Sequence, residues 1–544
     1  MLLAGVFSAS AGTKEAPPPA LVVVISIDQF RHDYLERFAP YFGREGFRRL
    51  QEQGADFVDC HFRHSITYTG PGHAVMLTGV HANVGGIIAN EWLEGEEMTR
   101  VNCVEDRSVS IIGQAAGDDA PAAVTAAKGR SPAHLLADTV GDELKMARAN
   151  RPRVIGVSNK DRAAILMSGK LADAAYWMEG GRVVSSTYYG PKLPAWLVAF
   201  NAEGRVEKYF NRVWDRALPE KDYALQDVDD MAGESDGLGL TRVFPHRITG
   251  GADRITPAFY SAFNTSPFSL EFLTDLAVAT LRNEQLGQRG TTDVLTVSYS
   301  ATDYVGHAYG PDSQEMMDMV VRLDGQLARL LAAVDQQVGL AHCTIVLTAD
   351  HGAAPTPEHI HAISPHFDAG RFDGGKMTGA AEQALIAQFG PAPADGHWVV
   401  RDGLSLRLVA ATLRARHVAA NEAQRVAAEA VAALPFVQAV YTRTQLERGE
   451  VHDELGARML LSFNAARSGD VLMQPKPFWI DKTPAGTTHG SPYNYDTHVP
   501  MLWFGVGVKP GRYVERVGVD DIAPTLARIL GVPAPPRAEG RVLF

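Results

Sequence analysis

The chain has 544 residues, of which 46% are hydrophobic and 21% are charged. This composition is typical of a folded protein of one large domain or several smaller ones, and it excludes a disordered or collagen-like chain. The net charge of -12 excludes nucleic acid as the main partner, because binding a phosphate backbone requires a basic face. No apolar run approaches about 20 residues, so we expect no segment that spans a membrane.

Residues 1–20 read as the remnant of a signal peptide followed by a linker. The segment Met1–Val6 is apolar, and Ala9-Ser10-Ala11 is similar to a small-residue cleavage site, although no basic residue precedes the apolar run. The proline-rich stretch Ala16–Ala20 is typical of a linker into the first strand. We therefore expect a periplasmic or secreted protein; the alternative is an ordinary frayed N-terminus.

Strands and helices alternate along residues 21–544. The apolar, β-branched runs predict buried strands at Leu21–Asp28, Arg153–Val157, Asp293–Tyr299, Cys343–Thr348 and Val499–Val506. Capping residues and amphipathic spacing predict helices at Gly46–Gln53, after Pro71, and at Ser131–Arg148, Ser313–Gln337 and Asp521–Leu530. This alternation predicts an α/β fold with a doubly wound, mostly parallel sheet flanked by helices.

Two long segments interrupt the alternation, at about 170–290 and about 355–482. They contain aromatic residues, turn signals and strand fragments such as Ala174–Met178. We interpret both segments as insertions into one catalytic domain, and we expect them to form a cap over one edge of the sheet.

Aspartates follow three of the predicted strands. Asp28 ends the first predicted strand, and Asp350 follows the strand Cys343–Thr348 by two residues. Asp303 follows the strand Asp293–Tyr299 by four residues. His307 follows Asp303 by four residues, and His351 is next to Asp350. Ligands of doubly wound sheets bind at the carboxyl ends of the strands, so these side chains are expected to converge there. Any one of the aspartates could instead be an Asx-turn or a helix cap.

A third histidine that could bind a metal is His489, in Thr488-His489-Gly490, and His498 is the alternative candidate for the same role. Three aspartates and three histidines are enough ligands for two metal ions, and carboxylate with imidazole is a ligand set that zinc accepts. Two ions about 4 Å apart suit phosphoryl transfer, because they can stabilise both the attacking and the leaving oxygen.

A nucleophile for this chemistry is present in the segment Thr69–Gly79. Its Gly-Pro-Gly sequence predicts a tight turn before an apolar helix, which places Thr69 at a helix N-terminus. Free N–H groups there favour an alkoxide and a phosphate. The alternative is that Thr69 only caps the helix.

In order and context, these residues resemble the alkaline phosphatase superfamily. The segment Thr69–Gly79 matches the frame of sulfatases, but it has threonine at the nucleophile position and His73 where sulfatases have arginine. Because formylglycine cannot be made from threonine, sulfatase chemistry is disfavoured. The chain is most similar to bacterial zinc-dependent alkaline phosphatases with a threonine nucleophile, on the basis of Asn90, the pair Lys160 and Arg162, and the segment Thr488–Asp496.

The resemblance implies a function and a role for each matching residue. One Zn²⁺ would be bound by Asp303, His307 and His489, and the other by Asp28, Asp350, His351 and Thr69. The context of His489 matches the family, which favours it over His498. Asn90, Lys160 and Arg162 would contact the phosphate oxygens. The implied reaction is hydrolysis of phosphate monoesters through a phosphothreonine on Thr69, with release of inorganic phosphate.

Other functions compete with this interpretation. A nucleotide pyrophosphatase/phosphodiesterase of the same superfamily would use the same metals and Thr69, but it should lack the pair Lys160 and Arg162. A phosphomutase would need a serine nucleophile, and a non-catalytic binding protein would not need the intact ligand set. Beyond phosphate esters we expect no partner: no nucleic acid, no membrane, and a monomeric chain.

The three cysteines are Cys60, Cys103 and Cys343. Two of them, Cys60 and Cys103, flank the nucleophile segment in sequence, and an exported chain would be oxidised. We therefore predict a disulfide between Cys60 and Cys103, with Cys343 reduced and buried in its strand.

Overall fold

The computed structural model describes residues 17–114, 129–237, 239–393, 396–481 and 485–544. The predicted signal segment lies outside these ranges, except for the end of its linker. A ten-stranded sheet forms the centre of the molecule. Its strands, from edge to edge, are Gly511–Tyr513, Ala55–Phe57, Leu502–Gly505, Cys343–Thr348, Leu21–Ile27, Asp293–Tyr299, Val154–Ser158, Ala174–Glu179, Arg182–Ser186 and Ile111–Ile112.

The middle of this sheet is parallel, as predicted. Leu21–Ile27 lies between Asp293–Tyr299 and Cys343–Thr348 and pairs in parallel with both. Val154–Ser158 and Ala174–Glu179 continue the parallel arrangement on one side. Every residue of Leu21–Ile27 is buried, which explains why the strand is apolar without alternation. The carboxyl ends of these strands therefore meet at one edge, where the predicted site residues follow them.

Antiparallel pairs flank the parallel middle of the sheet on both sides, although the edge pair Ala55–Phe57 and Gly511–Tyr513 is again parallel. Leu502–Gly505 pairs antiparallel with Cys343–Thr348, and Arg182–Ser186 pairs antiparallel with Ala174–Glu179. The segment before Leu502 already lies at the carboxyl edge, where Gly352 N donates to Asp496 O. From that edge the chain can enter the sheet only in the reverse direction.

Helices cover both faces of the sheet, and most of them agree with the predicted bounds. Ser313 caps the long helix Gln314–Gln337, its hydroxyl accepting from Met316 N. The main flanking helices are Phe47–Gln53, Thr69–Thr78, Val140–Ala147, Asp161–Ser168, Pro267–Asn283, Ala301–Tyr309, Gln314–Gln337 and Ile522–Leu530.

The prediction of a helix from Ser131 is wrong. The helix begins at Val140, because Thr139 and Asp142 form a reciprocal capping box there. The hydroxyl of Ser131 instead donates to Asp106 and accepts from Ala133 N in a turn.

The second insertion builds a separate layer with its own apolar core. Its four-stranded sheet is antiparallel and consists of Val399–Asp402, Ser405–Leu408, Val471–Pro475 and Val437–Thr442. The helices beside it are Pro357–Ile363, Gly375–Phe389, Ala410–Arg416, Ala420–Ala432, Arg443–Glu447 and Glu454–Ser462. We call this layer the cap sheet and its helices the cap helices.

The first insertion differs from the prediction. Its first strands, Ala174–Glu179 and Arg182–Ser186, belong to the central sheet, and its last helix, Pro267–Asn283, packs on that sheet. The expectation that all of 170–290 forms a cap is therefore wrong for these parts, because the buried run Ala174–Met178 extends the parallel ladder.

Short elements connect these layers. The remaining helices are Tyr34–Arg37, Ala82–Gly85, Ala195–Ala202, Pro257–Asn264 and Asn494–Thr497. The remaining strands are Cys60–His61, Glu91–Glu94, Thr99–Asn102, Glu105–Asp106, Gly129–Arg130, Val213–Trp214, His246–Arg247, Gly370–Phe372, Trp479–Asp481 and Val517–Gly518. Across the described ranges, no helix combines the length and the apolar character that a membrane crossing needs.

The predicted disulfide between Cys60 and Cys103 is absent, and all three cysteines are free and buried. Cys60 lies in the main core, in a short strand beside Val517. Cys103 packs in a different apolar cluster with Trp92. Proximity in sequence therefore did not bring the two thiols together.

Candidate active site

Three buried aspartates converge at the carboxyl edge of the sheet. Asp28 and Asp350 follow two neighbouring strands, and Asp303 lies in the first turn of the helix Ala301–Tyr309. Gln29 ties the last two together: its backbone N–H donates to Asp350 Oδ1 at 3.1 Å, and its side-chain amide donates to Asp303 Oδ1 at 2.9 Å. The topology thus gathers carboxylates that are 275 and 47 residues apart in the chain (303 − 28 and 350 − 303).

One group of candidate metal ligands consists of Asp28, Asp350 and His351. One ligand atom from each lies within 4.8 Å of the others. His351 Nε2 is 3.2 Å from Asp350 Oδ2 and 3.5 Å from Asp28 Oδ1. Its Nδ1 lies 2.9 Å from Gly352 O, which orients the ring so that Nε2 faces the carboxylates.

The predicted ligands of the second metal, Asp303, His307 and His489, lie beside it, and Asp303 and His489 form a compact group with His351. The Nε2 atoms of His307 and His489 are 3.2 and 3.7 Å from Asp303 Oδ1. Both rings are oriented through Nδ1, which lies within 2.8 Å of the carbonyl oxygens of Thr487 and Thr67, respectively. The ring of His489 also stacks on that of His351 at 3.5 Å, so the two groups are adjacent.

His498, the competitor of His489, lies in a different part of the molecule. Its ring stacks between those of His32 and His61, at 4.4 and 4.5 Å, and its Nε2 is 2.9 Å from Val58 O. Asp59, His61 and His498 also have ligand atoms close together. The rings of His61 and His498 are 9° from parallel, so their lone pairs lie in parallel planes and do not converge on one ion. We assign no metal to that group.

Thr69 is the first residue of the helix Thr69–Thr78, and its hydroxyl is 3.4 Å from His351 Nε2. The helix begins before the Gly-Pro-Gly sequence and not after it as predicted, so Gly-Pro-Gly forms part of its first turn. Tyr68 is the capping residue and no side chain caps this end, so the interpretation of Thr69 as a simple N-cap is wrong. A Cβ on Gly72 would lie 2.1 Å from Asp350 O, so only glycine lets this helix approach the aspartate so closely.

The three predicted phosphate-binding residues surround this helix end. Asn90 Oδ1 accepts from Gly70 N at 2.7 Å, beside the nucleophile. The Lys160 ammonium is buried, lies 2.7 Å from Asp28 Oδ2, and donates to Asp303 Oδ2 in a short contact. It is therefore not part of a solvated turn. Arg162 Nη1 is 3.7 Å from Asp161 Oδ1, and Arg162 Nε is buried without a hydrogen-bond partner among the described residues.

The electrostatics of the cluster favour cations. Burial opposes ionisation of Asp303, but His307 and Lys160 hold the pKa of its carboxyl well below the usual range. Burial and the neighbouring Asp28 raise the pKa of Asp350. Burial opposes a charge on His351 as well, yet the Asp350 carboxylate raises the pKa of its imidazole. Asp350 and His351 thus favour protonated forms, and a divalent cation could replace these protons.

The residues of both groups fit zinc. Asp28 Oδ1 and Asp350 Oδ2 are buried and accept no hydrogen bond from any described residue, although the imidazole of His351 lies near both. Buried carboxylate oxygens of this kind are stable when they ligate a metal. The mixture of imidazole and carboxylate donors is one that zinc accepts, and each histidine has its second nitrogen engaged by a carbonyl.

Sequence reasoning missed two positioning residues. Gln29 is buried and has a left-handed backbone, with φ of 59°. The sequence signal that could have identified Gln29 is its place directly after Asp28, since a polar residue after the end of a buried strand can reach the site. The second is His73, which is buried; its Nδ1 is 2.8 Å from Thr69 O and its Nε2 is 2.9 Å from Ser298 Oγ. Its position four residues after Thr69, on the same helix face, was the signal.

Comparison with known proteins identifies a family. Residues 22–498 match the sequence profile of type I phosphodiesterase / nucleotide pyrophosphatase. Alkaline phosphatase PhoV of Synechococcus elongatus is 34% identical over 534 residues, which cover 96% of this chain and 92% of that protein. A protein of Myroides odoratus named calcium-transporting ATPase is 32% identical over 526 residues, which cover 95% of this chain and 92% of that protein.

A solved structure is similar over almost the whole chain. Alkaline phosphatase PafA of Elizabethkingia meningoseptica is 30% identical over 533 residues, which cover 97% of this chain and 94% of that protein. The crystal structure of PafA superposes with a TM-score of 0.88 at 29% identity, and the match covers 97% of this chain and 99% of that one.

Proposed function

Because the chain belongs to the type I phosphodiesterase / nucleotide pyrophosphatase family, we propose that it is an alkaline phosphatase that hydrolyses phosphate monoesters with two zinc ions and Thr69 as nucleophile. The observation that carries this proposal is the position of the Thr69 hydroxyl. It lies at a buried helix N-terminus, 3.4 Å from His351, which borders both ligand groups. The alkaline phosphatases PhoV and PafA support the same activity.

Thr69 is suited to form a covalent intermediate. Its hydroxyl is not used as a helix cap, so it is free to attack phosphorus, and the N-terminal helix dipole stabilises the negative charge on the attacking oxygen and on the transferred phosphoryl group. The ions, held by Asp28, Asp350 and His351 on one side and Asp303, His307 and His489 on the other, would supply Lewis-acid stabilisation of charge on oxygen. Attack of the Thr69 oxygen on phosphorus breaks the ester P–O bond, and the organic group leaves as an alcohol that takes up the proton lost by Thr69. Water then cleaves the phosphothreonine, which releases inorganic phosphate and restores the Thr69 hydroxyl.

Three side chains would bind the phosphoryl oxygens. The side-chain amide of Asn90 is fixed beside the nucleophile by its bond from Gly70 N. The Lys160 ammonium reaches the space between Asp28 and Asp303. Arg162 has a buried N–H without a partner among the described residues, so its guanidinium can donate to the substrate. The two positively charged side chains, Lys160 and Arg162, favour a dianionic monoester over a monoanionic diester.

The family profile keeps a second function open. It describes phosphodiesterases and nucleotide pyrophosphatases, which leaves cleavage of diesters as the alternative for this chain. The same nucleophile and metals would serve that reaction. The positive charge of Lys160 and Arg162 is the feature that favours the monoester.

The location and the oligomeric state stay predictions. The periplasmic or secreted location was predicted from residues 1–20, of which 1–16 lie outside the described ranges. Export would have favoured a disulfide between Cys60 and Cys103, which is absent.

The test compares a monoester and a diester with the same leaving group, 4-nitrophenyl phosphate and methyl 4-nitrophenyl phosphate. We expect the monoester to have the higher kcat/KM, a chelator to abolish turnover of both, and Zn²⁺ to restore it. Metal analysis of the purified protein should find about two zinc ions per chain. A preference for the diester would replace this proposal with the phosphodiesterase, and full activity without metal would overturn it.

A further inference from the structure

A cavity of about 270 Å³ lies between the nucleophile helix and the cap sheet. Tyr68 and Asn90 line it from the side of the active site, Trp92 from the hairpin Glu91–Glu94/Thr99–Asn102, and Leu404 and Leu472 from the cap sheet. These five residues come from three parts of the chain, so the cavity exists only in the assembled molecule. We propose that it binds the aromatic or apolar organic group of the substrate; this inference rests on the proposed phosphatase function.

The cavity is next to the reacting groups. Tyr68 directly precedes the nucleophile, and its ring packs edge-on against that of His489 at 5.7 Å. Asn90 holds the N–H of Gly70, the residue after the nucleophile. A phosphate at Thr69 therefore lies one side chain away from the cavity, and its single ester group can extend past Asn90 into it.

The walls suit an apolar group. Ile66, Ile88, Trp92, Leu404, Met459 and Leu472 all line the cavity. Of its charged residues, Arg100 and Asp402 lie 3.8 Å apart and partly neutralise each other. Methionine adapts to ligands of different shape, so this wall need not select one ring. The apolar surface favours an aryl group over a short hydroxylated one.

The cavity is small and firmly built. Ligand pockets for drug-sized molecules measure about 300–1,000 Å³, so this one fits a smaller group of about one or two rings. Asp402 fixes the cap sheet to the hairpin, because its Oδ2 accepts from Leu93 N at 3.0 Å. The side chain of Asp402 is also 3.3 Å from Arg407 Nε. The second insertion therefore sets substrate preference by forming the far wall of this cavity.

The test changes Leu404, which lies next to the tight turn at Gly403 and lines the cavity on the side of the cap sheet. Leu404→Trp fills the cavity and Leu404→Ala enlarges it. Leu225→Trp is the matched control, since Leu225 is 93% exposed and is not among the cavity residues. For each zinc-loaded protein we would measure kcat/KM for 4-nitrophenyl phosphate and for methyl phosphate, and the inhibition constants of phenylphosphonate and inorganic phosphate.

We expect Leu404→Trp to lower kcat/KM for the aryl phosphate and to weaken binding of phenylphosphonate by about 10-fold or more, because the indole ring occupies the space of the aryl group and a misfit of one methylene group in a pocket already costs about 10-fold. Methyl phosphate and inorganic phosphate should change by less than about twofold, within the scatter of a distant substitution. Leu404→Ala should weaken phenylphosphonate selectively, and Leu225→Trp should change nothing.

One outcome would overturn the inference. If kcat/KM for the aryl and the methyl substrate changes by the same factor in both Leu404 variants, or does not change at all, the cavity does not hold the organic group. If the wild-type protein hydrolyses neither substrate with zinc, the proposed function itself fails, and that outcome is distinct from the first.

Discussion

Arg162→Ala gives the sharpest test of monoester specificity. A monoester presents three charged non-bridging oxygens, whereas in a diester one of these oxygens carries a carbon group. Arg162 can meet the outermost oxygen, because its side chain is partly exposed and the contact of its Nη1 with Asp161 Oδ1, at 3.7 Å, is longer than a hydrogen bond. Removing it should therefore affect the monoester far more than the diester.

The magnitude follows from the strength of the hydrogen bond that the substitution removes. One charge-assisted hydrogen bond contributes about 1.5–3 kcal/mol, which corresponds to about 10- to 150-fold in rate when the bond is made in the transition state. We expect this decrease in kcat/KM for 4-nitrophenyl phosphate, and less than about threefold for methyl 4-nitrophenyl phosphate, whose esterified oxygen cannot use the bond. Lys160→Ala should lower both values, because the ammonium also neutralises Asp28 and Asp303.

Two controls separate charge from geometry. Arg162→Lys keeps the charge but loses the planar fork, so it should recover only part of the monoester rate. Arg153 precedes the strand Val154–Ser158, whose other end leads to Arg162, and it pairs with Glu284. Arg153→Ala should therefore affect both substrates equally. Equal losses for the two substrates in Arg162→Ala would refute the role of this side chain and favour the phosphodiesterase.

Three further predictions concern the nucleophile, the metal ligands and the histidine stack. Thr69→Ala should remove nearly all turnover and Thr69→Ser should keep a substantial part, since only the hydroxyl is required; an Ala variant within a few-fold of wild type would mean that water attacks directly. By elemental analysis, His489→Ala should lose zinc, whereas His498→Ala should keep it; the reverse would exchange their roles. Burial lowers the pKa of His32 and His61 to about 4, so the unfolded chain binds protons more readily and the unfolding free energy should fall between about pH 6.5 and 4. Denaturant titrations at several pH values should show that the unfolding free energy of His61→Phe falls less steeply with decreasing pH than that of wild type. The same pH dependence in both proteins would contradict the lowered pKa of His61.

The central strands were predictable because burial on both faces leaves a local signature. Asp293–Tyr299 and Cys343–Thr348 have the predicted bounds, and Leu21–Ile27 differs by one residue. The direction of Leu502–Gly505 was not predictable, since an apolar strand has the same composition in a parallel and an antiparallel ladder. The start of the helix at Val140 was misplaced, because Ser131 and Thr139 are both acceptable caps and only the capping box with Asp142 distinguishes them.

For the site, the sequence by itself determined the chemical inventory: the aspartates that follow strands, their nearby histidines, and a threonine before an apolar helix. Residue type and spacing carry that information. Only the tertiary structure decided which groups meet. It placed His489 beside Asp303 and His498 in a distant stack, separated Cys60 from Cys103, and joined the cap sheet to Asn90 across a cavity. Contacts between residues far apart in the chain depend on how the layers pack, and no local pattern encodes that packing.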